Sequence, residues 1–231
     1  MCGDFMNLIR SEIVIGKENV NKIKNASVLI VGLGGVGGSA LEMIVRSGVE
    51  NIIIIDYDKF EESNINRQII CLNDNIGEYK TGEAFKRIKK INDECKIKVY
   101  NNKIDEFFLK DNHLKVDYVI DACDDIKAKI LLIKYAISNN IKIISCLGTG
   151  NKLNPSKLKI SNIWKTSYDP LAKKLRQCLR KENINYKLPV VYSDEKPLVK
   201  GQKTVGSLPM VPNVAGIFTA SFVINDIINN L

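Results

Sequence analysis

A glycine-rich hexapeptide is the first feature of this sequence that could do chemistry, and its glycines are Gly32, Gly34, Gly35 and Gly37. It follows a short apolar run and precedes a helical pattern, the context in which such glycines form a phosphate-binding turn. Backbone N–H groups can approach a phosphate closely there, and the helix N-terminus adds a favourable dipole. Asp56 follows nineteen residues after Gly37, where a carboxylate can accept hydrogen bonds from ribose hydroxyls. The hexapeptide therefore indicates a nucleotide site.

Charged residues beyond the second predicted strand favour a triphosphate over a dinucleotide. The segment 56–68 reads DYDKFEESNINRQ and contains Asn64 and Arg67, and Lys80 comes thirteen residues after Arg67. The segment 121–124, which reads DACD, closes a later strand and brings carboxylates to the same edge of the sheet. A triphosphate needs fixed cations and a carboxylate for its magnesium ion, whereas a dinucleotide pyrophosphate needs far less. These residues therefore favour ATP as the nucleotide.

Strand and helix patterns alternate along the first 150 residues and would position these groups. The predicted strands are 27–31, 51–55, 97–100, 116–120 and 141–145, and the predicted helices are 35–47, 78–92 and 126–138. Continuous apolar runs such as 52–55 are typical of strands covered on both faces. The order predicts a Rossmann-like α/β fold with a doubly wound, mainly parallel sheet.

The regular alternation lapses after residue 150. The pattern then predicts a strand at 157–161, a helix at 169–181, a strand near Val190, a loop over 194–213 and a final helix after Pro212. We therefore expect one domain over residues 1–231, with a nucleotide-binding core at 1–150 and an irregular, basic C-terminal extension at 151–231 that binds substrate.

Basic residues are concentrated in one sector of the chain. Residues 151–200 contain twelve Lys or Arg and four Asp or Glu, a local excess of eight that equals the net charge of the whole chain, +8. A basic sector suits a polyanionic partner, because neutralising phosphates releases counterions. A solvated basic surface without a partner explains the same composition, so charge alone leaves the partner open.

Taken together, the motifs resemble the ThiF/MoeB/HesA family, the bacterial relatives of ubiquitin-activating enzymes. Over about residues 8–150, the resemblance rests on the hexapeptide, Asp56, the NINRQ segment at 64–68, Lys80 and the DACD segment at 121–124. Beyond residue 150, TSYDPLAKKLR at 166–176 and VYSDEKP at 191–197 resemble the branch of the family that dehydrates threonylcarbamoyladenosine in tRNA.

The resemblance implies roles for the nucleotide-binding residues. Asp56 would hold the ribose of ATP, and Asp58 would lie in the same nucleotide site. Asn64, Arg67 and Lys80 would engage the triphosphate.

The resemblance also implies a magnesium ligand and a homodimer. Asp124 would coordinate magnesium. Arg10 matches an arginine that the family donates across its dimer into the partner's site. The implied catalytic set is Arg10, Arg67, Lys80 and Asp124.

The implied reaction is adenylation of the threonyl carboxylate on a modified adenosine next to the tRNA anticodon. A neighbouring nitrogen of the same substrate side chain then closes a ring and expels AMP, so that no enzyme nucleophile is needed and proximity supplies much of the rate. We expect the tRNA to be contacted by Lys173, Lys174, Arg176 and Arg180. A sulfur-transfer protein is a further partner in this hypothesis.

Two other functions remain open on the sequence. The chain could adenylate the C-terminus of a ubiquitin-like sulfur-carrier protein, although it has no CxxC zinc motif and Cys178, in RQCLR, is the one cysteine in a basic setting. A nicotinamide-dependent oxidoreductase would need a proton-relay residue, and the sole histidine, His113, falls in a Lys-rich loop where we expect it on the surface.

The sequence pattern predicts neither a membrane-spanning segment nor a signal peptide. No apolar run reaches the roughly 18–20 residues that cross a bilayer. The first fifteen residues lack the basic start and apolar core of a signal peptide. We therefore expect a cytoplasmic protein without a membrane span.

Overall fold

The computed structural model describes residues 6–199 and 204–230, and one seven-stranded sheet runs through them. Its strands are β1 (Ser27–Val31), β2 (Asn51–Ile55), β3 (Lys96–Tyr100), β4 (Tyr118–Asp121), β5 (Lys142–Cys146), β6 (Leu158–Asn162) and β7 (Pro189–Ser193). The strand order is β3-β2-β1-β4-β5-β7-β6, and every neighbouring pair is parallel except β6 with β7. The predicted doubly wound, mainly parallel α/β fold is confirmed.

Seven helices of the described residues cover the sheet on both faces. They are α1 (Ile9–Asn25), α2 (Gly35–Arg46), α3 (Lys80–Ile91), α4 (Glu106–Asp111), α5 (Ile126–Ser138), α6 (Pro170–Lys181) and α7 (Met210–Asn230). Side chains of α1, α2, α3 and α7 share one core cluster, and those of α4, α5 and α6 share the other. The two layers explain why the central strands are apolar on both faces.

The strand β1 illustrates how sequence specifies this arrangement. Val28 and Ile30 belong to one core cluster, whereas Leu29 and Val31 belong to the other. Successive side chains of a strand point to opposite faces, so a strand buried between two helical layers must be apolar at every position.

The C-terminal part is built into the same sheet. The strands predicted at 157–161 and near Val190 are confirmed as β6 and β7, which extend the parallel sheet with one antiparallel edge strand. What the sequence presents as an irregular extension is thus continuous with the core. The loop predicted over 194–213 is shorter than expected, because α7 begins at Met210, and its residues 200–203 lie outside the described part of the chain.

Contrary to the expectation from the sequence, one described helix, α7, is apolar and long enough to cross a bilayer by length and composition, although Asn225 and Asp226 interrupt its apolar residues. It lies against α2, and Val211, Ala215, Val223 and Ile227 are fully buried in the core. Gly216 permits this close packing, because a side chain there would collide with the carbonyl oxygen of Val36 in α2. One face of α7 is therefore packed into the core.

Candidate active site

The turn between β1 and α2 depends on two glycines. Gly32 has φ +87°, and a Cβ there would lie 2.9 Å from backbone atoms of Ala122 in the β4–α5 loop. A side chain at Gly37 would collide with the carbonyl oxygen of Gly32. These glycines therefore allow the turn to close and to contact the loop that follows β4.

The other two glycines of the hexapeptide have different surroundings. A Cβ at Gly35 would lie 3.1 Å from both the Arg67 carbonyl oxygen and the side chain of Pro212 at the start of α7. At Gly34 the nearest atom would be Gln68 Nε2, 4.0 Å away. Gly34 thus leaves space beside the turn, whereas the structure gives Gly35 a packing role that the sequence did not reveal.

Asp56 links the glycine turn to the end of β2. Its Oδ2 accepts a hydrogen bond from the Leu33 N–H at 2.6 Å, and its Oδ1 accepts one from the Asp58 N–H at 2.8 Å. Burial raises the pKa of Asp56, and the positive charge of Lys80 opposes that rise. Each carboxylate oxygen retains a second lone pair, so ribose binding by Asp56 remains a prediction that this geometry permits.

Lys80 is a buried cation at the start of α3. Its Nζ lies 2.9 Å from Asp58 Oδ2, while the Asp58 side chain is half-exposed. A cation that is already oriented by a carboxylate needs little reorganisation to meet a phosphate. Lys80 and Asp58, which were both predicted as site residues, therefore lie together at the carboxyl end of β2.

Asn64 and Arg67 lie on a short helical turn that follows β2. The Asn64 side chain is buried and accepts a hydrogen bond from the Glu61 N–H at 3.3 Å. Arg67 Nη1 donates to the Ser63 carbonyl oxygen at 2.6 Å and to Asn66 Oδ1 at 3.0 Å. The turn thus orients a half-buried guanidinium whose Nε and Nη2 have no partner within the described residues.

Gln68 is a site residue to which the sequence reasoning gave no role. It is buried, and its Oε1 has no hydrogen-bond partner within residues 6–199 and 204–230. A buried polar atom without a partner requires an explanation, and a ligand beside Gly34 supplies one. The sequence feature that could have indicated a role for Gln68 is its position at the end of the NINRQ segment.

Asp124 is exposed just after β4 and has no hydrogen bond or ion pair in the part of the chain that the structure describes. The pKa of Tyr57, just after β2, is raised by the charge of Asp58 first and also by that of Asp124. The described residues contain no cluster of three His, Cys, Asp or Glu side chains that could hold a metal. Magnesium often binds one protein carboxylate together with substrate phosphates and water, and a lone Asp124 fits that donor set.

Beneath this loop is a buried ion pair that the sequence reasoning missed. Lys129 of α5 and Asp121 of β4 are fully buried, and their atoms Nζ and Oδ2 are 3.0 Å apart. Ser145 Oγ donates to the same carboxylate at 2.6 Å, and Lys129 Nζ also donates to the Cys146 carbonyl oxygen at 2.8 Å. Burial opposes the charged form of Lys129, yet its pKa is raised because Asp121 stabilises that form. Asp121 is thus a structural residue that fixes the segment carrying Asp124.

Four of the five described cysteines, at positions 71, 95, 123 and 146, have a pKa raised by burial. Burial raises the pKa of Cys123 and Cys146, the latter to about 12, which disfavours the thiolate. Cys178 belongs to α6 and is half-buried against the core. His113 is exposed, as predicted.

The predicted tRNA contacts on α6 divide into two groups. Lys173, Lys174 and Arg180 are exposed. Arg176 is half-buried, and its Nη1 donates to the Thr166 carbonyl oxygen at 3.3 Å and to the Thr166 hydroxyl. Its guanidinium therefore holds the preceding loop. The Arg180 guanidinium lies over the Trp164 ring, 5.6 Å from its centroid. Lys173 and Lys174 are the two of the four whose side chains make no hydrogen bond, ion pair or ring contact within the described residues.

Arg10 lies in the first turn of α1, far along the chain from the glycine turn. It is exposed and makes no hydrogen bond or ion pair with the residues that the structure describes. Gly16, with φ +79°, interrupts the helical geometry of α1. The part before this bend exposes Ile9 (60%), Ile13 (79%) and Val14 (81%) to solvent.

Comparisons with known proteins show the family to which this chain belongs. The sequence model of the ThiF family matches residues 7–224. A Bacillus subtilis protein named tRNA threonylcarbamoyladenosine dehydratase is 36% identical, over 96% of this chain and 94% of its own. A protein of the same name from Haemophilus influenzae is 34% identical, over 90% of this chain and 82% of its own.

A solved structure with a bound nucleotide has the same fold. It is the complex of ATP with TcdA, the tRNA N6-threonylcarbamoyladenosine dehydratase of E. coli, and it is 29% identical to this chain. The TM-score is 0.89, over 95% of this chain and 93% of that chain. The same E. coli protein has also been solved with AMP.

Proposed function

Because this chain belongs to the ThiF family, we propose that its nucleotide edge activates a carboxylate on tRNA with ATP. The protein is an ATP-dependent adenylating enzyme, and its reaction is the dehydration of threonylcarbamoyladenosine in tRNA. We place the reaction in the cytoplasm, on the adenosine next to the anticodon.

One observation carries the proposal: cationic, carboxylate and amide groups converge where the parallel strands end. Leu33 N–H contacts Asp56 after β2, and Gly32 contacts Ala122 after β4. Lys80 and Arg67 lie on the segments that follow β2. In an open α/β sheet, ligands bind at the carboxyl ends of the strands, where the strand order reverses. Here that point is between β1 and β4.

In the first step, an oxygen of the threonyl carboxylate attacks the α-phosphorus of ATP, and pyrophosphate leaves. Arg67 and Lys80 stabilise the negative charge that develops on the phosphates, while Asp56 and the glycine turn orient the nucleotide. A magnesium ion held by Asp124 would neutralise further phosphate charge. In the second step, a nitrogen of the substrate side chain attacks the acyl carbon and loses its proton, and AMP leaves.

The function is tested with purified protein, ATP, magnesium and threonylcarbamoylated tRNA. We expect the nucleoside to lose the mass of one water, with one AMP and one pyrophosphate released for each conversion. Omitting ATP should leave the nucleoside unchanged. A tRNA that keeps its full mass after prolonged incubation in the complete reaction would contradict the proposal.

The alternative substrate is the C-terminus of a sulfur-carrier protein. It predicts pyrophosphate exchange that such a protein stimulates and tRNA does not. The match to relatives over nearly the whole chain, including the basic α6, favours tRNA. A sulfur-transfer protein would then act beside the tRNA reaction and not as the acyl acceptor.

We further propose that the enzyme works as a homodimer in which Arg10 completes the partner's site. The exposed Ile13 and Val14 beside Arg10 support an interface on this part of α1, because apolar side chains exposed together mark contact surfaces. A guanidinium delivered in trans would add positive charge where pyrophosphate leaves.

Mixing two inactive variants should restore activity if Arg10 acts across the dimer. Arg10→Ala and Asp124→Ala are each expected to be inactive as homodimers. In a mixed dimer, one site keeps both groups and the other loses both, so random exchange should restore about a quarter of wild-type activity. Steady-state tRNA conversion measures the recovery, and mass spectrometry of tagged subunits confirms the exchange. No recovery after confirmed exchange would show that Arg10 does not act in trans.

Reversing two charges on α6 should weaken tRNA binding without affecting ATP binding. Lys173→Glu with Lys174→Glu is expected to flatten the dependence of log Kd on log salt concentration by about one unit for each lost phosphate contact. Filter binding over a range of salt concentrations measures the slope. The matched control reverses the exposed Lys90 and Lys110, on α3 and α4. Equal effects of both pairs would mean that α6 has no specific role.

A further inference from the structure

Tyr168 has an unusual backbone for its residue type. Its φ is +54°, in the left-handed region, which a bulky L-residue rarely adopts. Its side chain is nevertheless 57% exposed, so burial of the ring does not explain the conformation. Strained backbone of this kind persists where the surrounding structure holds it, and such residues are concentrated at binding and active sites.

Tyr168 lies in the loop 166–169 before α6, and this loop is held on the N-terminal side of Tyr168. Arg176 donates from Nη1 to the carbonyl oxygens of Ile163 and Thr166, at 3.4 and 3.3 Å, and to the Thr166 hydroxyl. The half-buried Arg176 thus fixes the backbone at Thr166, two residues before Tyr168.

The loop is also held on the C-terminal side. Asp169 is buried, and its Oδ1 accepts from the Ala172 N–H at 2.9 Å, which caps α6. Its Oδ2 lies 3.6 Å from Nζ of the buried Lys152. Lys152 Nζ donates to the Gly148 carbonyl oxygen at 2.8 Å, just beyond the end of β5. Tyr168 is therefore fixed at the same sheet edge as the candidate active site, because β5 pairs with β4.

The ring of Tyr168 is more than half exposed and has a cationic neighbour. Lys196 Nζ lies 5.1 Å from the ring centroid. Tyr168 precedes the cap of α6, where an apolar residue often packs on the fourth helical position, but that position is Lys173. The Tyr168 ring is therefore an exposed aromatic face beside Lys196 and Lys173, whose ammonium groups can bind phosphates.

We propose that Tyr168 stacks on an unpaired base of the tRNA that flanks the modified adenosine. An enzyme that acts on one adenosine in a loop must bind neighbouring unstacked bases, and aromatic side chains bind such bases by stacking. Lys196 and Lys173 bind the adjoining phosphates. This inference rests on the proposed function, because it needs tRNA as the substrate.

The test compares Tyr168→Phe, Tyr168→Ala and Tyr168→Gly with the wild type, using threonylcarbamoylated tRNA. The Ala and Gly variants should raise Kd and KM for tRNA by about 5- to 150-fold, while kcat at saturating tRNA and ATP binding stay close to wild type. The Phe variant should bind tRNA like the wild type, because the ring that stacks is retained.

The Gly variant separates stacking from a structural role. Glycine adopts φ +54° without strain, so its thermal unfolding temperature should equal or exceed that of the wild type even as tRNA binding weakens. A Gly or Ala variant with unchanged KM would overturn the stacking role while wild-type conversion of tRNA stands. A wild type that converts no tRNA would instead overturn the proposed function itself.

Discussion

Arg67→Ala and, separately, Asp124→Ala are expected to lower the rate of adenylate formation about 100- to 1,000-fold. Arg67→Ala removes a preorganised cation from the triphosphate, and Asp124→Ala removes the proposed magnesium ligand. Arg67 is held by Ser63 and Asn66, so its guanidinium is oriented before ATP arrives. Pyrophosphate exchange in the presence of substrate tRNA measures the rate.

Two variants serve as controls for this pair. Arg67→Lys keeps the charge but loses the planar fork, and it should retain only part of the activity. Asp111→Ala removes an exposed carboxylate at the end of α4 and should leave the rate unchanged. Circular dichroism establishes that the fold survives. Near-normal exchange in both Arg67→Ala and Asp124→Ala would remove the assignment of the ATP site.

Lys129→Met is expected to lower the free energy of unfolding by about 3–5 kcal/mol, because it leaves the buried carboxylate of Asp121 without its counter-charge. The Lys129 and Asp121 side chains are both fully buried, so water cannot replace the lost partner. Urea unfolding followed by circular dichroism measures the change, as a lower midpoint with an unaltered slope.

The paired control removes both charges. Lys129→Met with Asp121→Asn keeps an acceptor for the Ser145 hydroxyl and leaves no buried charge, so it should recover most of the lost stability. Strictly additive losses in the double variant would mean that the two residues act independently and that their ion pair contributes little.

The nucleotide half of the fold could be predicted from local patterns. Short stretches of sequence were enough for this prediction. The apolar runs indicate β1 and β2, and the glycines between β1 and α2 indicate where the strand ends and the helix begins. The short α4 was not predicted, because Glu106–Asp111 is less than two turns long and has little room for a periodic pattern.

Tertiary contacts at the site could not be predicted. Asp121 and Lys129 form a pair only because α5 returns across β4, and nothing in either residue type requires it. The loop-holding role of Arg176 likewise depends on where residues 163–166 turn. A sequence shows which residues are charged, whereas the tertiary fold decides which charges are already used.

The position of α7 has a consequence for the order of events during protein synthesis. Pro212 packs on Gly35, and Asn213 Nδ2 donates to the Arg67 carbonyl oxygen at 3.0 Å, so this helix forms one wall behind the nucleotide turn. About 175 residues separate Gly35 from Met210. At about 5–20 residues per second, a ribosome needs roughly 9–35 seconds to cover that distance. A nascent chain therefore lacks this wall until α7 has been made, and we expect ATP binding to begin only after residues 210–213 have been synthesised.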